Sequence, residues 1–91
     1  MSSSNFTFEY KIGADNEMIE YTKMCILLAN SEYTGYYKKA ELVRNKFEEK
    51  YHGSWSCLFV EKNKGQLSSR YDKYYIYVDY NNTNIIIWNN K

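Results

Sequence analysis

The chain has 91 residues, with 12 Lys plus Arg against 11 Asp plus Glu, one His and two Cys. That length fits one small domain, and a lone domain of this size buries only about two thirds of its unfolded surface, so a second subunit would add stability. A net charge of +1 with no basic tail or acidic block argues against a nucleic-acid partner, which needs clustered cations.

Residues 1–5 are polar and read as a flexible N-terminus, with residues 6–91 as the single domain. Nothing in the first residues resembles a secretory leader. No stretch reaches the roughly 20 apolar residues of a membrane span, so no membrane partner is expected. Phe6, Phe8, Tyr10 and Ile12 alternate with Thr7, Glu9 and Lys11, which predicts a strand with one covered face. Gly13 ends it. Asp15 is placed to cap a helix, with Glu17 favourable in the first turn. Met18, Tyr21, Thr22, Cys25, Ile26 and Ala29 then recur at helical spacing. Asn30 to Gly35 breaks that pattern. A second helix follows, with Ala40, Val43, Phe47 and Tyr51 on its inner stripe, and Gly53 suits a C-terminal cap.

The remainder reads as strand. Ser54 to Val60 is nearly continuous and apolar, which predicts burial on both faces. Glu61 to Gly65 is a charged turn. Gln66 to Tyr71 is a weaker, polar strand. Tyr74 to Tyr80 puts Tyr75 and Tyr77 on one face and Tyr74, Ile76, Val78 and Tyr80 on the other. Asn81 to Asn84 is a hairpin loop, and Ile85 to Trp88 closes the fold. The order is β-α-α-β-β-β-β, an α+β architecture with an antiparallel sheet packed by two helices. The two cysteines, on different elements in apolar surroundings, read as reduced thiols of a soluble cytosolic protein.

The stretch Lys46 to Gly65, K-F-E-E-K-Y-H-G-S-W-S-C-L-F-V-E-K-N-K-G, resembles the helix-to-strand junction of the eight-kilodalton dynein light chain family. Ala14-Asp15 with Glu17-Met18 resembles the family's helix start. Tyr75-Ile76-Tyr77 resembles its aromatic fourth strand, and Ile85-Ile86-Ile87-Trp88 its apolar last strand. The resemblance runs from about Ile12 to Trp88.

It implies a strand-exchanged dimer in which the third strand, here Gly65 to Asp72, crosses to the partner's sheet. A disordered peptide then enters as an added antiparallel strand. Gln66, Leu67, Ser68, Ser69 and Arg70 would offer the edge backbone. Tyr75, Tyr77 and Ile86 would line the groove, and Tyr36 and Tyr37 would close its end. Trp55, Ser56, Leu67 and Tyr71 would lie at the dimer interface. The implied function is non-catalytic. It is to hold a dynein intermediate chain or a similar disordered segment in a microtubule motor, as a homodimer or as a heterodimer with a related light chain. The implied setting is the cytoplasm and cytoskeleton, or the axoneme of a cilium or flagellum. A general dimerisation hub outside dynein is the alternative. No cofactor or metal is implied.

Several positions depart from the family pattern. Lys64 stands where an aromatic is usual, and Ser69-Arg70-Tyr71-Asp72 replaces Thr-His-Glu-Thr. Tyr36 and Tyr37 replace charged groups, Ser56 replaces a His, and Asp79 replaces an aromatic. These changes predict a peptide preference other than the family's glutamine-centred one.

Other chemistries fit the residues less well. His52 with Cys57 lacks a third group to orient the base. One His and two scattered Cys do not supply four zinc ligands. Tyr75 and Tyr77 could stack RNA bases, with Arg70 and Lys73 on phosphates. The order of elements is not the βαββαβ of the RRM, however, and its Gly-aromatic pattern is missing.

Overall fold

The computed structural model describes residues 5–62 and 70–91. Six elements follow one another: β1 (Thr7–Ile12), α1 (Asn16–Glu32), α2 (Tyr36–Tyr51), β2 (Trp55–Glu61), β3 (Tyr75–Tyr80) and β4 (Thr83–Asn89). The strands form one antiparallel sheet in the order β1-β3-β4-β2, with both helices on one face. The expected α+β fold is therefore present. The strand expected over Gln66 to Tyr71 lies mostly outside the described residues, and its described end, Arg70 and Tyr71, is not in a strand.

Local chemistry explains the helix limits. Asp15 is extended, and its Oδ1 accepts the Met18 N–H at 2.9 Å, so α1 starts where the sequence places it. The Tyr33 N–H closes the other end on the Ala29 carbonyl at 3.0 Å. The α2 helix ends on His52, with φ 61°, followed by Gly53, with φ 78°. Two consecutive residues with positive φ turn the chain sharply into β2.

The core lies between the helices and one sheet face. Met18, Thr22, Cys25, Ile26 and Ala29 of α1 are buried there with Val43 and Phe47 of α2. Trp55 and Phe59 of β2 meet them, as do Ile76, Val78, Ile85 and Ile87. The one buried hydroxyl of α1, Thr22, donates back to the Met18 carbonyl at 2.8 Å. Trp55 fixes the junction: its Nε1 donates to the His52 carbonyl at 2.7 Å, and its N–H donates to Glu48 Oε2 at 3.0 Å.

Three expectations are corrected. The run Phe6, Phe8, Tyr10, Ile12 does not share a face. A bulge between Phe8 and Tyr10 shifts the register, so Phe8 sits opposite Val78 on the helix side but Tyr10 and Ile12 sit opposite Tyr77 and Tyr75. The extra residue, Glu9, reverses the alternation. Second, β2 is not buried on both faces: Trp55 and Phe59 are covered, while Ser56, Leu58 and Val60 are only half-buried. Third, the hairpin after β3 is tighter than read. Tyr80 pairs with Thr83, and Asn81 and Asn82 alone form the turn, at φ 51° and 58°. Asn tolerates that conformation better than most residues, and this turn matches the strand twist.

Candidate functional site

Among the described residues, one sheet face has no helix over it. From the register, this open face carries Thr7, Tyr10 and Ile12 of β1, Tyr75, Tyr77 and Asp79 of β3, Asn84, Ile86 and Trp88 of β4, and Ser56, Leu58 and Val60 of β2. It is strongly aromatic. Tyr10 is 54% exposed and Ile12 40%, whereas Tyr75 and Ile86 at the centre are buried. Tyr75 is flanked by the rings of Tyr10 at 5.9 Å and Tyr71 at 5.3 Å. Burial pushes the Tyr75 hydroxyl pKa up, helped by Tyr77, Tyr10 and Tyr71. Burial also raises that of Tyr77, followed by the charges of Asp79 and Glu9.

The open face runs out to β2, an edge strand among the described residues. Ser54 accepts from the Asn90 N–H at 2.8 Å, and Lys62 donates to the Asn82 carbonyl at 3.0 Å. Even-numbered residues of β2 therefore point their backbone toward β4, and Trp55, Cys57, Phe59 and Glu61 point theirs outward. Glu48 takes the outward N–H of Trp55. The outward groups of Cys57, Phe59 and Glu61 have no strand beside them among the described residues. On the helix side of this edge lies a groove of about 350 Å³ lined by Tyr36, Tyr37, Ala40, Arg44, Cys57 and Phe59, among others. Tyr36 reaches across it to within 6.5 Å of the Phe59 ring, and Tyr37 is 77% exposed at its mouth.

The residues singled out in the sequence divide into three groups. Tyr75, Tyr77 and Ile86 come together on the open face, with Tyr77 directly opposite Ile86. Tyr36 and Tyr37 lie on the other layer, against the edge of β2. Gln66, Leu67, Ser68 and Ser69 lie outside the described residues, while Arg70 is exposed and Tyr71 half-buried. Of the residues assigned to a dimer interface, Trp55 faces the helices, its ring 5.0 Å from Phe47 and 5.6 Å from Tyr74. Ser56 is on the open face, where Asn90 donates to its Oγ at 3.0 Å. Sequence reasoning missed Tyr10, Ile12, Leu58, Val60 and Trp88 as members of this face. The Ser56-Leu58-Val60 alternation was visible; the bulge at Glu9 was not.

Thiol chemistry is disfavoured here. Burial pushes the Cys25 thiol up to about 11. Burial raises Cys57 as well, and well above its ordinary value. Both stay protonated at neutral pH, and nucleophilic attack needs the thiolate. His52 is an exposed cap residue. Among the described residues no group of three or more His, Cys, Asp or Glu is placed to hold a metal ion, and no helix is long and apolar enough to cross a membrane.

Comparison with protein-family models finds no match, and comparison with curated protein sequences finds none either. Solved structures do match. The dynein light chain-like domain of the Fasciola hepatica calcium-binding protein FhCaBP2 superposes with a TM-score of 0.73 at 16% identity, covering 99% of this chain and 96% of that one. A second structure of that domain gives 0.74 at 15%, covering 97% and 93%. The dynein light chain-like domain of CsTAL3 gives 0.73 at 12%, covering 92% and 90%. At these identities the likeness establishes the fold, which is dynein light chain-like.

Proposed function

We propose that this chain is a non-catalytic dynein light chain-like protein that dimerises and holds disordered segments by β-strand addition. The observation that carries the reading is the outer edge of β2. It is an apolar strand with outward backbone groups and no neighbouring strand among the described residues, next to a groove roofed by α2. Such an edge is a template for pairing, and soluble proteins normally cover or blunt it. A strand from a second copy would satisfy those groups, and the β2 side of the open face, around Leu58 and Val60, would pack against the same copy, leaving the β1 side uncovered. Two copies then present two sites, so a pair of linked partner segments binds with avidity.

The partner class that suits this arrangement is an extended polypeptide, such as a dynein intermediate chain of a cytoplasmic or axonemal motor. A dimerisation hub outside motors rests on the same geometry. The test is sedimentation of the pure chain at tens of micromolar, followed by affinity purification from cells. A dimer, or a heterodimer with a related light chain, that brings intermediate and heavy chains with it is expected. A monomer with no related chain bound would sink the reading, and a dimer with other partners would select the hub.

A further inference from the structure

The open face carries a cavity of about 330 Å³ near β1, away from the β2 edge, lined by Glu9, Tyr10, Tyr77, Asp79 and Asn84. Its walls differ from the rest of the face. The ring centroids of Tyr10 and Tyr77 are 6.0 Å apart with planes inclined at 59°, and both rings line this space. The bulge at Glu9 produces this pairing, because it brings Tyr10 opposite Tyr77. Asn84, only 3% exposed, donates from Nδ2 to Asp79 Oδ1 and so holds that carboxylate from the neighbouring strand. Neither Glu9 nor Asp79 has an ion-pair partner among the described residues.

We infer that this cavity receives a cationic side chain, arginine before lysine, from an extended polypeptide lying over the open face. The chemistry is complementary on two counts. Aromatic faces attract an organic cation through the ring quadrupole, most strongly where water is displaced. A carboxylate accepts charge-assisted hydrogen bonds, and a guanidinium can make two at once while its plane stacks on a ring. A bare metal ion fits less well: two carboxylates, one already held by an amide, are a thin ligand set for a hard cation. The inference rests on the proposed function only in taking the guest as part of a polypeptide. It adds a charge preference to that reading.

The test is an NMR titration of the full chain with acetyl-Gly-Arg-Gly-amide and with its citrulline counterpart, which keeps the shape and removes the charge. The ring protons of Tyr10 and Tyr77 and the methylenes of the guest side chain are followed. The arginine peptide should saturate at about tenfold lower concentration than the citrulline peptide, with its methylenes shifted upfield by the rings. Asp79→Asn and Glu9→Gln should each remove most of that preference, and Tyr37→Ala, on the far layer, should leave it. Equal affinities for the two peptides, or a preference that survives both carboxylate changes, would overturn the inference. If Asp79→Asn does not fold, Glu9→Gln decides alone, since Glu9 is exposed at the sheet edge. A chain that self-associates but shows no arginine preference removes only this cavity; a monomer that keeps the preference removes only the self-association.

Discussion

Among the described residues, the two edges of the sheet are built differently. Along β1, charged Glu9 and Lys11 alternate with apolar residues, every residue but Phe8 is exposed, and a bulge interrupts the ladder. Along β2, Trp55 to Val60 carries no charge, the strand is regular across seven pairs with β4, and a helix flanks it. A bulge and charges are the devices by which proteins discourage edge-to-edge pairing. The first edge has both; the second has no bulge and only Glu61, at its end, as a charge. Among the described residues, the outer edge of β2 therefore lacks the features that keep the β1 edge from pairing.

The contrast can be broken most directly on the open face beside β2. Leu58→Glu places a charge where a partner copy would bury it. It should weaken self-association by about a hundredfold, from the lost apolar area and the desolvated carboxylate. Thr7→Glu, on β1, should leave association unchanged. Sedimentation equilibrium of both variants checks the pair, and equal effects would erase the distinction between the edges.

A second change asks what holds β1 in place. Gly13 has φ 77°, and a Cβ there would lie 2.5 Å from the Lys73 carbonyl oxygen. Gly13→Ala should therefore cost about 2 kcal/mol of stability, from the left-handed backbone and the close approach together. Urea unfolding measures it, and a cost near zero would mean the β1 end is not anchored as described.

The smallest effect concerns the thiols, Cys25 of α1 and Cys57 of β2. The folded pKa of Cys25 is raised to about 11 by burial, against about 8.5 in an unfolded chain. Below the unfolded value both states are protonated and the full stability is present. As pH rises, the unfolded chain ionises first, so stability should decline between about pH 8.5 and 11. Cys25→Ser, followed by chemical denaturation across that window, should flatten the decline. Native protein at pH 7 should also react slowly with a thiol reagent at both cysteines.

Much of the fold was legible because its signals are local. The Asp15 cap, the Met18-to-Ala29 stripe and the His52-Gly53 stop each depend on residues within a turn or two of one another. So does the alternation of Tyr75 and Tyr77 against Ile76 and Val78. The candidate site was legible only in part. Tyr75, Tyr77 and Ile86 were recognised, but of their neighbours Tyr10 and Ile12 come from β1 and Leu58 from β2, with Trp88 further along β4. Simple alternation put Tyr10 and Ile12 on the face with Phe6 and Phe8. One extra residue at Glu9 sent them to the opposite side.

The amino-acid order alone set which segments become helix or strand, since hydrogen-bond period, capping and left-handed turns are decided between near neighbours. Among the described residues, only the assembled sheet decided that β1 and β2 are its borders, that a tyrosine face stays uncovered, and that Glu9 and Asp79 share a cavity. Those outcomes depend on register between strands far apart in the chain, and a shift of one residue in that register moves every later side chain to the other face.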